Sequence, residues 1–419
     1  MAITGIGLVC ALGASTDGVW TKLLRGDQGI SPITRFDATE YSARVAGQVG
    51  HPPWDRASMS PADVCASRRG TRFFLHAARE AWDDAGLAGV GAAGAGVAVG
   101  VSANYLHMGL LQTLWQLRDA RTNRTDVARA CERRAVPDGM FARRQGQSAA
   151  ALVAQALALT GPRLTIDTAC ASGSHAVIDA VRAVSRGEAP VMVAGAGSGL
   201  IVPVTLLAFG RIGALTSNAD PQAASRPFDK RRDGFVLGEG AAAVVVEALT
   251  RARRRGARIY AEIRGAASTV NAFNLTDPSP AGATEAATIA EALGEASVDP
   301  ADVDYIAAHG TSTPKNDQTE TSAIKTALGR HASRVLVSSN KGQIGHTLPA
   351  AGAFNVATAA LAIATGIAPP TATWRERDPD CDLDYVPRVG RAADLRCALA
   401  HAFAFGGQNA VIVLARATG

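Results

Sequence analysis

Short apolar runs recur along the chain and alternate with stretches whose apolar positions fall three and four residues apart. VAVGV at 97–101, VMVAGAG at 191–197, AAAVVVEAL at 241–249 and VIVLARA at 411–417 read as buried strands, and MAITGIGLVC at the start reads the same way. Between them the period changes. In LTIDTACASGSHAVIDAVRAV, at 164–184, Leu164 to Ile166 alternates as a strand does, whereas Ala176, Val177, Ala180, Val181 and Val184 mark one face of a helix. Strands alternating with helices predict a layered α/β protein.

The pattern repeats itself. GEGAAAVVVEALTRA at 238–252 and FGGQNAVIVLARATG at 405–419 share a glycine-rich entry, an apolar strand and a small or basic exit. LTIDTACASGSHAVIDAV and LVSSNKGQIGHTLPAAGAFNVATAAL each run strand, glycine-containing loop, small-residue helix. Two similar halves, 1–254 and 255–419, explain both matches. RARRRGAR at 251–258 is then read as a solvated connection. The polar segment 112–145 reads as an excursion from the first half, and 269–283, rich in turn residues, as a mobile loop.

At 419 residues the chain exceeds one simple core, and 47% hydrophobic residues with a mean hydropathy of +0.08 supply what two halves need to bury. No apolar run is read as the roughly 18 uncharged residues of a membrane span, and the start lacks the basic residues of a signal peptide, so a cytoplasmic location is expected, with no membrane partner. Six cysteines without CxxC pairs suggest reduced thiols. A net charge of +5 suits an acidic partner, but nucleic acid is not expected, because aromatics are only 5% and no basic cluster is interleaved with them.

Cys170 falls in the turn that launches a helix. Unpaired N–H groups and the helix dipole there favour thiolate over thiol, and the small neighbours Ala169, Ala171, Ser172 and Gly173 would let a substrate approach the backbone. Three further stretches have the character of a site. YIAAHGTSTPKNDQTE places His309 at the end of a strand, VSSNKGQIGHTLPAAG places Lys341 and His346 in a strand-to-helix loop, and HAFAFGGQNA places Phe405 and paired glycines before the last strand.

Together with PFDKRRDGFVLGEGAAAVVVE at 227–247, these motifs occur in the order and approximate spacing of the β-ketoacyl-ACP synthase family of condensing enzymes, which the chain resembles over essentially its whole length. The resemblance implies a duplicated thiolase-like fold, layered α/β/α/β/α. It implies a Cys170–His309–His346 site, with Lys341 beside the histidines and paired to Glu320. It implies an oxyanion hole from the N–H groups of Cys170 and Phe405, with Phe405 as gate, and Thr311, Thr313, Asn104, Phe209, Phe403 and Gly406 as substrate-binding positions. No metal or bound cofactor is expected, since substrates ride on the 4'-phosphopantetheine of acyl carrier protein. Arg68, Arg69 and Arg72, then Arg129, Arg133, Arg134 and Arg211, match the carrier-docking face. A homodimer is implied, or a heterodimer with a ketosynthase-like subunit.

Three departures bear on substrate preference. Ala404 stands where the gate motif usually has glycine, Gln408 where threonine is common, and Pro349 where glycine is usual; with SANYLHM at 102–108 they lean toward a specialised polyketide chain over primary fatty-acid elongation. A non-catalytic chain-length-factor-like subunit, or another thiolase-fold acyltransferase, is the alternative. Cys170 with both histidines argues against the first, and the two-histidine pattern against the second.

Overall fold

The computed structural model describes residues 1–50, 68–89, 93–102, 115–119, 121–126, 128–129 and 147–418. Ten strands carry the architecture: β1 (Ala2–Val9), β2 (Gly96–Gly100), β3 (Arg163–Ile166), β4 (Val191–Ser198), β5 (Gly240–Glu247), β6 (Ala261–Val270), β7 (Tyr305–Ala307), β8 (Leu336–Ser338), β9 (Cys397–Phe403) and β10 (Gln408–Ala415). The first five lie in the order β3-β2-β4-β5-β1 and the last five in the order β8-β7-β9-β10-β6. In each set the first three are mutually parallel and the last two antiparallel. The chain therefore lays down one topology twice. The two sheets join where β1 pairs with β6, at Ala2 opposite Glu262 and Ile3 opposite Ala261.

Helices cover both sheets. α1 (Thr16–Arg25) follows β1; α2 (Arg69–Asp84) and α3 (Gln147–Ala156) lie on the outer face of the first sheet; α4 (Ser172–Ser185) follows β3; α5 (Pro203–Arg211) follows β4. α6 (Ala283–Ala296) and α7 (Pro314–Leu328) lie on the outer face of the second sheet, and α8 (Ala351–Thr365) shares the middle layer with α4. Alternate residues of one strand serve different layers: Val191 and Val193 of β4 face α2, while Met192, Ala194 and Ala196 face the middle. A strand buried on both faces has no polar face to alternate with, which is why these strands read as unbroken apolar runs.

The middle layer is tight because it is made of small residues. A methyl group on Gly173 would sit 2.8 Å from the Ala353 nitrogen and 3.0 Å from the Pro349 carbonyl oxygen, so the glycine exists to let α4 and α8 touch. Leu348–Thr365 is an 18-residue stretch without a charge, contrary to the sequence expectation that no such run exists. It is 89% buried inside the protein, as befits a helix apolar all round at the centre of a layered fold.

The arginine-rich connection is also less solvated than expected. Arg251 and Arg255 both bind the Glu247 carboxylate, which is fully buried and accepts from the Thr4 hydroxyl at 2.7 Å, and Arg255 reaches the Ala85 carbonyl. A buried carboxylate needs such partners, so two cations of this run are spent on the interior. Most of 112–145 lies outside the described residues. The 269–283 stretch comprises the end of β6, a turn organised by Asn271 and Asn274, and the start of α6.

Candidate active site

Equivalent corners of the two halves converge. After β3 the chain makes a single 3-10 turn, Ala169–Ala171, and enters α4. Ala169 takes a left-handed φ of 50°, which costs a non-glycine residue energy and needs support. Ser172 supplies it: its hydroxyl accepts the Thr168 N–H at 2.9 Å and donates toward the Ala169 carbonyl at 2.7 Å. Cys170 is thereby pushed toward a cleft. After β8 the corresponding corner is longer, holding a one-turn helix, Lys341–Ile344, then His346. His309 follows β7, and Phe405 follows β9 in another 3-10 turn, Phe405–Gly407.

These groups meet around a cavity of about 350 Å³, lined by Cys170, His309, His346, Phe403, Phe405 and Thr311 among others. The two imidazoles stand edge to face with centroids 5.4 Å apart. The N–H groups of Phe405 and of Cys170 itself lie beside the Cys170 sulfur and favour its thiolate, which makes them the donors available to an acyl oxygen there. Phe235, which sequence reading passed over, packs at right angles against both His346 and Phe209, at 5.2 and 5.4 Å.

The electrostatics depart from the sequence expectation at Cys170. Burial pushes its thiol up from 9.0 to about 11, outweighing the Lys341 charge and the N–H groups that favour the thiolate. At rest the nucleophile is a thiol. Its small neighbours also serve another end than substrate approach, since Gly173 and Ser174 are pressed against α8. Burial, with Lys341 adding to it, holds both His309 and His346 well below the usual imidazole range, so both are neutral near pH 7. The His346 Nδ1 accepts from the Leu348 N–H at 3.3 Å, which puts the proton on Nε2.

Glu320 does not hydrogen-bond Lys341. Its carboxylate accepts the N–H groups of His309 and Gly310 at 2.8 and 2.7 Å and the Nδ1–H of His401 at 3.0 Å. The Lys341 Nζ, fully buried, has no hydrogen-bond partner among the described residues, and burial lowers it from 10.5 to about 8. Asp317, which the sequence reading quoted without singling out, accepts the N–H groups of Phe228, Thr311 and Ser312, lies beside Arg232, and rises by burial to about 6. It shapes the turn that brings the Thr311 and Thr313 hydroxyls to 2.8 Å of each other on the cavity wall.

The gate turn is braced by the 271–279 segment. Gly407 has φ 75°, a methyl there would fall 2.0 Å from the Asn271 carbonyl oxygen, and Asn271 N–H donates to the Gly407 carbonyl at 2.7 Å. Gly407, not Gly406, lines the cavity; Gly406 faces solvent and donates its N–H to Leu275. Ala404 is extended, at φ −121° and ψ 155°, so its methyl costs nothing in this position. Pro349 sits in the 3-10 turn leading into α8, where its fixed φ fits. Phe209 stands 6.2 Å from Phe405 across the cavity, and Phe403 lines it behind His309.

The arginines divide. Arg69 is bound through Nε and Nη2 to the buried Glu239 and through Nη2 to the Val49 carbonyl, so much of its donor capacity is used inside the protein, unlike that of a residue given over to docking. Arg68 and Arg72 are half-buried at the start of α2, and Arg129 and Arg211 are exposed, the latter adjoining the cavity-lining Ile212 and Gly213. Asn104, Arg133 and Arg134 lie outside the described residues.

Comparison with known proteins agrees with this arrangement. The chain is 39% identical to the tetracenomycin polyketide synthase ketoacyl synthase alpha subunit of Streptomyces glaucescens, covering 99% of this chain and 97% of that one. It is 38% identical to 3-oxoacyl-[acyl-carrier-protein] synthase 2 of Coxiella burnetii, over 99% and 98%. Among solved structures, a type II polyketide synthase acyl-carrier protein in complex with its ketosynthase bound to the hexaketide includes a chain matched at TM-score 0.88 and 32% identity, over 100% and 99% of the two chains. A beta-ketoacyl synthase from Burkholderia phymatum matches at 0.89 and 29%, with the same coverage. The family model of the beta-ketoacyl synthase N-terminal domain matches residues 1–252 and that of its C-terminal domain residues 260–375, and with a buried cysteine and two neutral histidines on one cavity, the chain belongs to the beta-ketoacyl synthase family of condensing enzymes.

Proposed function

We propose that the protein performs decarboxylative condensation on chains carried by acyl carrier protein. The observation that carries this reading is the shared cavity: Cys170, two neutral imidazoles and two convergent N–H donors face one space. Cys170 attacks an acyl thioester, its proton passes to the departing pantetheine thiol, and the tetrahedral oxyanion is held by the N–H groups of Cys170 and Phe405. A malonyl thioester then loses carbon dioxide. His309 and His346, donating from neutral rings, stabilise the resulting enolate oxygen, and the enolate carbon displaces the Cys170 sulfur from the acyl carbon. Lys341 supplies charge beside both histidines.

Thr311 and Thr313 are the proposed contacts for the pantetheine arm, and Phe209, Phe403 and Phe405 the proposed bounds of the acyl chain, a reading supported by their place on the cavity wall. Arg68, Arg72, Arg129 and Arg211 remain the proposed contacts for an acidic carrier, which steers weakly and reversibly. The proposed division at 254/255 is supported by the repeated strand order, which changes halves between β5 and β6, and a second ketosynthase-like copy, identical or not, is the proposed partner subunit. Intact-mass measurement after incubation with a panel of acyl-carrier thioesters tests the reading: a mass gain at Cys170, absent in Cys170→Ala, is expected, and the preferred chain separates polyketide from fatty-acid use. Failure of every thioester to load overturns it.

A further inference from the structure

A third buried histidine lies behind the two that face the cavity. His401 is on β9, fully buried, its ring 5.2 Å from Phe403. Because a carboxylate only accepts, the 3.0 Å contact to Glu320 fixes the His401 proton on Nδ1. Among the described residues its Nε2 is left without a partner, as is the Lys341 Nζ. Buried polar atoms without partners cost roughly 1–3 kcal/mol each, so two beside one carboxylate call for a reason. Asn355 of α8 adds one: its side-chain amide donates to the Ala308 carbonyl at 2.9 Å and the His401 carbonyl at 2.8 Å, tying together the strand ends that precede His309 and Phe405.

We propose that His401 is a positioning residue that, by donating to Glu320, holds its carboxylate on the His309–Gly310 backbone and leaves the Lys341 charge to Cys170 and the two cavity histidines. This rests on the condensing reading above, but its test does not need condensation. Glu320 has three donors already, two from the backbone and one from His401. Without the third, two of the carboxylate's roughly four lone-pair sites are open instead of one, and Lys341 is a buried cation with no hydrogen-bond partner among the described residues. The groups facing this centre are Glu320 and Asp317 from α7, the latter paired with Arg232; His309 from the end of β7; Lys341 and His346 from the β8 corner; and Cys170 from the β3 corner.

The pH dependence of Cys170 alkylation by iodoacetamide reads the Lys341 charge through the thiol. In the native protein the rate climbs with pH less steeply above about 8, as Lys341 loses its proton and its help to the thiolate. In His401→Phe, Glu320 turns to Lys341, the lysine keeps its proton to higher pH, and the bend moves up, with alkylation at pH 9 faster by about threefold or more. His401→Asn, which retains a donor near the position of Nδ1, restores the native bend. Because a phenylalanine can fail to fit a fully buried site, His401→Ala is read beside it, with melting curves for both. An unmoved bend in the folded Phe or Ala variant, or an equal shift in His401→Asn, overturns the proposal; failure of the native protein to load any acyl thioester, with the bend shift as expected, would instead count against the condensing reading.

Discussion

The corner after β3 and the corner after β8 occupy the same place in the two halves, yet they have diverged in opposite directions. The first is a single tight turn, stiffened by Ser172, that presents one sulfur to an apolar surround of Leu206, Phe235, Leu237 and Leu348. The second is longer by a helical turn and presents a buried amine and an imidazole. One fold position thus yields a nucleophile where the chain is short and a field of charge where it is long. The lesson is that chemistry was divided between halves, the sulfur coming from one and the charge from the other, with burial outweighing the Lys341 charge at the thiol.

The largest expected effect comes from breaking the first corner. Cys170→Ala should remove acyl loading and reduce condensation on the order of 10³-fold or more, while the melting temperature stays near that of the native protein, because alanine fits a site made for small residues. Intact mass and calorimetry check this. Breaking the second corner should separate the two half-reactions: His309→Ala or His346→Ala is expected to slow condensation by about 10²- to 10⁴-fold and acylation much less, since the enolate forms only in the second step. Equal losses in both steps, measured by single turnover, would show that the histidines merely position Cys170.

Lys341→Met sharpens the contrast, because it should damage activity by about 10²-fold yet stabilise the fold at neutral pH, an unpartnered buried donor being replaced by an apolar chain of similar length. The sign against pH follows. In the fold Lys341 titrates at about 8 against an ordinary 10.5, so above pH 8 the unfolded chain holds more protons and stability from this group rises with pH. Cys170, raised from 9.0 to about 11, works in the opposite direction from pH 9 upward. Denaturant titrations at pH 8 and 9 should show Lys341→Met losing stability relative to wild type over that interval, since Cys10, Cys381 and Cys397, which burial pushes up to about 12, subtract equally from both.

Smaller effects probe the supports. Ser172→Ala removes the clamp on the strained turn and should cost about 1 kcal/mol in stability, with slower acylation and an unchanged rate of malonyl decarboxylation. At the cavity mouth Lys315 pairs with Asp277 at 2.8 Å, largely in solvent, and Lys315→Ala should change stability by no more than about 0.5 kcal/mol. A clear loss there would show that the 271–279 segment is held by this pair and not by Asn271 and Gly407.

Much of this was legible in the chain itself. The doubled strand order is the direct outcome of the two matched pairs of segments, and the apolar runs became strands because each is buried on both faces. The positions of Cys170, His309 and His346 at strand ends followed from where periodicity stopped. What could not be read was pairing. Nothing in TPKNDQTE tells that Glu320 meets His401, 81 residues on, because that contact is made between helix α7 and strand β9, which are distant in sequence. Arg69 looked like its neighbours in a basic cluster, and only the burial of Glu239 separates them. The thiol's state likewise depends on desolvation, which a local helix-start argument leaves out.

The buried thiol has a consequence for survival between turnovers. A sulfur that titrates at about 11 is a thiolate in roughly one molecule in 10⁴ at pH 7, and peroxides attack the thiolate. An enzyme whose nucleophile had been activated in advance by its surroundings would lose it steadily to sulfenic acid while waiting for substrate. Here burial keeps the residue in its protonated form, which peroxides attack slowly, for as long as the cavity stays empty.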